Sequence, residues 1–227
     1  MRELALDTET TGLSFIDGDK IIEIGCVEIV DKKITGPTFH TYVNPQREVS
    51  SAAAEISGLT YSFLKQFKPF PEVCQEFLEF VADDKLVIHN APFDIGFLNN
   101  ELSLIGISPL QNNRVVDTLV MAKEKYPGSP STLDALCRRF SINSTLRTKH
   151  GALIDAELLA AVYINMSVEL LQKGLFDTAR DNGFINNSAD ESMKIIEPRH
   201  FELDETELAA RYELLKKIKN PIWDRIK

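Results

Sequence analysis

Five side chains in this 227-residue sequence have types and spacings suited to hydrolytic chemistry: Asp7, Glu9, Asp94, His150 and Asp155. Asp7 and Glu9 stand two apart after the apolar run Leu4-Ala5-Leu6, so on a strand both carboxylates point to one face. They are either ordinary strand-end charges or a pair aimed at a common target. Thr10-Thr11-Gly12 follows at once and offers hydroxyls, backbone N–H groups and a glycine that admits a close ligand, a cradle for a chain terminus. Asp94 lies in His89-Asn90-Ala91-Pro92-Phe93-Asp94, just inside a helix that leaves a buried strand, where an acid also suits the helix macrodipole. Asp155 lies in His150-Gly151-Ala152-Leu153-Ile154-Asp155, at the start of an otherwise apolar helix. A carboxylate in such a setting is costly unless paired or metal-bound, so Asp155 requires a partner.

The elements that must position these groups follow from apolar periodicity. Residues 4–6, 21–30 and 34–43 read as strands, the last two joined by a turn at 31–33. Helical patterns cover 62–67 and 72–81, a short buried strand covers 86–88, and a helix covers 92–105. A brief strand at 115–116 precedes helices over 118–125, 133–140 and 152–171, with Ser131 as an N-cap. Three strands followed by alternating helix and strand predict an α/β protein with one mixed β-sheet flanked by helices. After Leu171 the pattern loosens, and residues 184–192 have the composition of an exposed linker. Helical order returns over 204–219, with Leu208, Tyr212 and Leu215 on one stripe, and Asn220-Pro221 halts it.

Composition narrows the classes. With 44% hydrophobic and 26% charged residues the chain is expected to be globular, not disordered. No stretch approaches the roughly 18 consecutive apolar residues of a membrane span, so no membrane association is expected. Cys26, Cys74 and Cys137 are odd in number and set in apolar surroundings, which predicts buried thiols and a cytoplasmic setting. The net charge of −9 disfavours a broad polyanion-binding surface but suits an enzyme that gathers carboxylates around cations.

Taken together, Asp7-x-Glu9 with Thr10-Thr11-Gly12, Asp94 in its His-Asn-Ala-Pro-Phe-Asp run, and His150-x4-Asp155 resemble the three motifs of the DEDDh 3′-to-5′ exonucleases. The resemblance spans residues 1 to about 170 and implies a ribonuclease H-like fold. A related subclass carries Tyr four residues before the last Asp, and that place is Gly151 here. Local wording, such as Lys20-Ile21-Ile22-Glu23-Ile24-Gly25 and Ser131-Thr132-Leu133-Asp134-Ala135-Leu136-Cys137, is most similar to the branch that proofreads for bacterial replicative polymerases. That branch commonly has His-Gly in the loop after the third strand, whereas this chain has Ser57-Gly58.

The resemblance implies that Asp7, Glu9, Asp94 and Asp155 hold two Mg2+ or Mn2+ ions, the hard cations that oxygen ligands favour, and that His150 is the general base. Thr10, Thr11, Gly12 and Phe93 are the candidate contacts to a single-stranded or frayed DNA 3′ end, Phe93 by stacking on a base or else simply as core. Asp117 and Asp134 read as caps or first-turn charges, and His89 as a hydrogen-bonding support. The implied organisation is a DEDDh exonuclease domain over 1–175, a linker over 176–203 and a helical tail over 204–227 that binds the polymerase catalytic (alpha) subunit, with Trp223 among its anchors. Two alternatives stay open on the residues alone: an RNA-trimming or repair exonuclease, and a scaffolding subunit with an idle nuclease site.

Overall fold

The computed structural model describes residues 1–144 and 149–181, with backbone alone from 169 onward. Five strands form one mixed sheet: β1 (Arg2–Thr10), β2 (Ile21–Val30), β3 (Lys33–Tyr42), β4 (Lys85–Ile88) and β5 (Val115–Asp117), in the order β3-β2-β1-β4-β5. β1 pairs antiparallel with β2 and β2 with β3, whereas β1–β4 and β4–β5 are parallel. The helices are α1 (Ser51–Ser57), α2 (Tyr61–Leu64), α3 (Phe70–Val81), α4 (Ala91–Leu104), α5 (Thr118–Lys125), α6 (Leu133–Arg139) and α7 (Ala152–Asp181). This is the expected ribonuclease H-like arrangement of a mixed sheet flanked by helices.

Strand alternation divides the interior into two cores. Leu4 and Leu6 of β1, with Ile24 and Cys26 of β2, face α3 and α4 through Phe77, Phe97 and Leu98. Ala5, Val27, Ile29 and Val87 face the other way, against Leu136 of α6 and Leu159, Val162 and Met166 of α7. The register pairs Ala5 with Val27, Asp7 with Gly25 and Glu9 with Glu23, so these six residues share the α7 face. The first carboxylates therefore look toward the helix that carries the last one. All three cysteines are buried thiols.

Several elements differ from the sequence expectation for identifiable reasons. β1 extends over nine residues rather than three, because the acids and threonines of its second half still alternate faces and pair with β2. α1, which apolar periodicity does not announce, is fixed by its ends: Ser50 accepts from Ala53 N, and Gly58 at φ 77° donates to Ala54 O. The β2–β3 turn uses Asp31 and Lys32, both at positive φ, a two-residue hairpin connection. Thr132, not Ser131, caps α6, its hydroxyl accepting from Ala135 N at 3.2 Å. α7 continues to Asp181, ten residues past Leu171 and through the expected boundary at 175, since an existing helix adds one hydrogen bond per residue without needing an apolar stripe. The linker beyond 181 and the tail over 204–227 lie outside the described residues.

Two features seat α7 on the sheet. At its start the Ala152–Leu153 backbone lies against Gly25, where any side chain would overlap the Ala152 carbonyl and Leu153 N. Three turns on, the Tyr163 hydroxyl donates to Glu3 Oε1 at 2.7 Å, and Lys32 Nζ reaches Glu3 Oε2 at 2.6 Å and the Tyr163 hydroxyl at 2.9 Å. Burying Glu3 is tolerable because its carboxylate keeps both the half-buried Lys32 and Tyr163 as partners. Gly25→Ala is expected to lower stability by about 1–3 kcal/mol through overpacking against backbone. A urea midpoint unchanged from wild type would show that α7 is not pinned there.

Candidate active site

The candidate residues meet at the carboxyl ends of the parallel strands β1 and β4, the usual place for a site in an open α/β sheet. A cavity of about 590 Å3 there is lined by Asp7, Glu9, Asp94, His150 and Asp155, together with Thr8, His89 and Phe93. Three elements deliver the acids. Strand alternation aims Asp7 and Glu9 at the α7 face, the first turn of α7 brings in Asp155, and the first turn of α4 carries Asp94. Ligand atoms of Glu9, His150 and Asp155 all lie within 4.8 Å of one another.

Asp94 approaches across the end of β4. That strand stops at Ile88, and Asp94 Oδ1 takes up the Thr8 amide at 3.0 Å and the Thr8 hydroxyl at 2.7 Å. Burial raises the Asp94 carboxyl to about 7, with Asp117 adding to the rise and the Thr8 hydrogen bonds opposing it. A cation among these oxygens would favour the ionised form. The helix that carries Asp94 is launched from Asn90 at φ 68°, and the Asp117 carboxylate accepts from both Asn90 N and Ala91 N at 3.2 Å. Asp117 also caps α5 by accepting from Leu119 N at 2.8 Å, so one carboxylate ties two helix starts to the end of β5. His89 Nδ1 meets the Thr118 hydroxyl at 2.9 Å, and burial lowers its pKa, which suits the expected supporting role of a neutral ring.

His150 is half exposed, with Nδ1 3.1 Å from Asp155 Oδ2. An Nδ1–H donated to that carboxylate orients the ring and makes Nε2 the basic nitrogen. The segment that carries it is held by the C-terminal carbonyls of α1: His150 N donates to Ile56 O at 3.1 Å and Lys149 Nζ to Glu55 O at 2.6 Å. A cation at the negative end of a helix is electrostatically favoured.

The predicted substrate contacts are not all brought to the cavity. Phe93 lines it, half buried, with its ring 5.0 Å from that of Phe97. Thr10 and Thr11 are buried, and their hydroxyls donate to Gly12 O at 2.6 Å and Asp19 Oδ1 at 2.8 Å. Gly12 packs so closely against the Asp19 carboxylate that a side chain there would displace it. Thr10 and Thr11 therefore shape the β1–β2 loop with their side chains, and Gly12 does so by lacking one. The Ser57 hydroxyl, at the place where related chains carry histidine, donates to Ala53 O at 2.9 Å and accepts from Leu59 N at 3.2 Å, finishing α1.

Sequence patterning gives no role to Thr8 or Glu23 and marks Ser131 and Asp134 only as an N-cap and a cap or first-turn charge. Thr8 is buried on the opposite face of β1 from the acids, yet holds Asp94. Glu23, 4% exposed and paired in register with Glu9, meets His40 Nε2 at 2.7 Å. Ser131, Thr132 and Asp134 form the far wall of the cavity. Thr8 was accessible from the sequence as the residue between two acids, but the partners of Glu23 and the α6 wall depend on register and packing.

A carboxylate-rich cavity on this mixed sheet defines a nuclease of the ribonuclease H-like class. The family model described as Exonuclease (RNase T) matches residues 4–163, and the chain belongs to that family. The DNA polymerase III subunit epsilon of Rickettsia felis is 43% identical over 212 residues, which cover 89% of this chain and 93% of that one. The corresponding Escherichia coli subunit is 44% identical over 173 residues, covering 73% and 71%. Among solved structures, Exonuclease X in complex with 5′ overhanging duplex DNA superimposes with a TM-score of 0.57 at 25% identity, over 72% of this chain and 90% of that one. The nuclease domain of 3′hExo, a DEDDh family member bound to rAMP, gives 0.65 at 18% identity over 74% and 92% and shares the fold. The chain is thus a 3′-to-5′ exonuclease that groups with the epsilon subunits, in a family whose hydrolysis depends on divalent metal.

Lys149→Met is expected to speed amide hydrogen exchange at His150 about tenfold, the loss of one charge-assisted hydrogen bond, while Lys149→Arg retains protection. Unchanged exchange in the methionine variant would show that the lysine does not hold the histidine segment.

Proposed function

We infer that this chain removes nucleotides from the 3′ end of single-stranded or frayed DNA as the proofreading subunit of a replicative polymerase, releasing nucleoside 5′-monophosphates. The observation that carries the reading is the convergence of Glu9, His150 and Asp155 in a cavity that Asp7 and Asp94 also line. The match to epsilon subunits over most of the chain favours DNA and a polymerase setting.

Asp7, Glu9, Asp94 and Asp155 would hold two divalent ions, Mg2+ or Mn2+. The oxygen-rich donor set fits such hard cations, and two negative charges about 4 Å apart repel by about 4 kcal/mol at an effective dielectric near 20. Bound there, the ions supply Lewis-acid polarisation and charge neutralisation at the scissile phosphate. His150 accepts the proton of the attacking water at Nε2 as the water oxygen bonds to phosphorus and the P–O3′ bond breaks. Asp155 orients the imidazole through Nδ1 and stabilises the imidazolium that forms. Phe93 lies where it can stack on the terminal base, a contact tolerant of base identity.

Residues 1–182 form one compact unit. The remainder serves as linker and tail, and we assign to it attachment to the polymerase catalytic (alpha) subunit, which raises the local concentration of the nuclease at the primer end. A cytoplasmic setting suits both a replicative assembly and three buried thiols.

Wild-type protein with Mg2+ or Mn2+ is expected to release nucleoside 5′-monophosphates from a 3′-labelled DNA single strand, and chelator is expected to abolish this. His150→Ala is expected to keep its thermal midpoint and lose ~10^2 to 10^4 in kcat. Activity that survives chelation, or a fully active alanine variant, contradicts the assignment. Truncation after Asn182 is expected to preserve hydrolysis of free strands and abolish co-purification with the polymerase catalytic subunit. Equal loss of both would contradict a separable tail.

A further inference from the structure

Beside the site lies a second concavity of about 430 Å3, lined by Pro130, Ala135, Arg138 and Arg139. It borders the catalytic cavity through α6, because Ser131 to Asp134 form the wall of one and their immediate neighbours Pro130 and Ala135 line the other. Arg138 lies one helical turn beyond Asp134, about 6 Å along the axis. Both arginines are exposed, and neither forms an ion pair with a described residue. Arg139 is also pre-positioned, its guanidinium stacked 4.0 Å from the centre of the Tyr126 ring.

Last-turn arginines complement a helix dipole wherever they occur, and that alone would explain their presence on α6. It does not explain an adjacent pair lining a concavity that opens beside an acidic site in a chain of net charge −9. A strand whose last phosphodiester enters a cluster of carboxylates needs cations for the phosphates that follow, and guanidinium forks match phosphate oxygens bidentately. The geometry points to Arg138 and Arg139 as a binding site for the DNA backbone one to two nucleotides upstream of the scissile bond. The site reads charge and not sequence, so it extends affinity along the strand without biasing which terminal base is removed.

This proposal rests on the exonuclease reading, and its test separates the two. Hydrolysis of the p-nitrophenyl ester of thymidine 5′-monophosphate, which has no upstream phosphate, is compared with hydrolysis of an oligothymidylate eight nucleotides long. In Arg138→Ala/Arg139→Ala the ratio of kcat/KM for the octamer to that for the ester is expected to fall ~10-fold. Loss of two single-strand phosphate contacts also reduces the salt slope of octamer binding by ~1.4. Arg138→Lys/Arg139→Lys retains charge and keeps most of the ratio. Binding of a fluorescent octamer in Ca2+, followed by anisotropy, tests the groove independently of turnover: the alanine pair is expected to bind ~10-fold more weakly, and Arg138→Ala alone, which leaves the Tyr126 stack intact, several-fold more weakly. Wild-type protein that hydrolyses neither substrate overturns the exonuclease reading. An unchanged substrate ratio or unchanged octamer affinity in folded variants overturns the groove.

Discussion

Mutual repulsion among carboxylates is the constraint on which the rest of this structure depends. Asp7, Glu9, Asp94 and Asp155 line one cavity, and a fifth acid, Glu23, stands opposite Glu9 in register. Such a cluster is unstable unless its charges are offset, and the fold supplies a different offset for each of three of them. Glu23 takes His40, Asp155 takes His150, and Asp94 takes two hydrogen bonds from Thr8 while burial favours its protonated form. Hard cations would complete the set, which makes metal binding part of the balance that allows so many acids in so small a volume.

Positioning the cluster is shared between rigid and local devices. The sheet fixes Asp7 and Glu9, Gly25 and the Glu3–Lys32–Tyr163 cluster fix α7, and Asp117 fixes the start of α4. The histidine segment depends instead on two carbonyls at the end of α1, which accept hydrogen bonds from Lys149 Nζ and the His150 amide. A histidine held at the end of a short helix can be aligned by the fold and still stand half exposed to water. The arginine pair on α6 extends the same logic outward, placing positive charge where the substrate leaves the acidic pocket.

How much was legible in advance depended on the distance over which the deciding physics acts. The strands and most helices follow from local alternation and periodicity, and Asp155 stands out because burying a carboxylate without a partner is costly. α1 was missed because a seven-residue helix with one buried residue carries no apolar stripe; its caps define it. The cap on α6 moved from Ser131 to Thr132 because adjacent hydroxyls are equivalent until backbone geometry selects one. Thr10 and Thr11 looked like ligands because a hydroxyl beside an acid pair is chemically suited to the task, and only the loop closing through Asp19 and Lys20 shows those hydroxyls engaged.

The sequence by itself determined which acids and which histidine are candidates for the chemistry, and a mixed sheet with helices to carry them. Tertiary structure decided which groups meet. Pairing of β1 with β2 sets Glu9 against Glu23, and the bare Cα of Gly25 admits the α7 backbone. The end of β4 leaves the Thr8 amide to Asp94, and α6 turns two arginines toward a groove beside the site. Register and close packing are relations between distant segments, and a linear pattern encodes the faces of each element without encoding which faces come together.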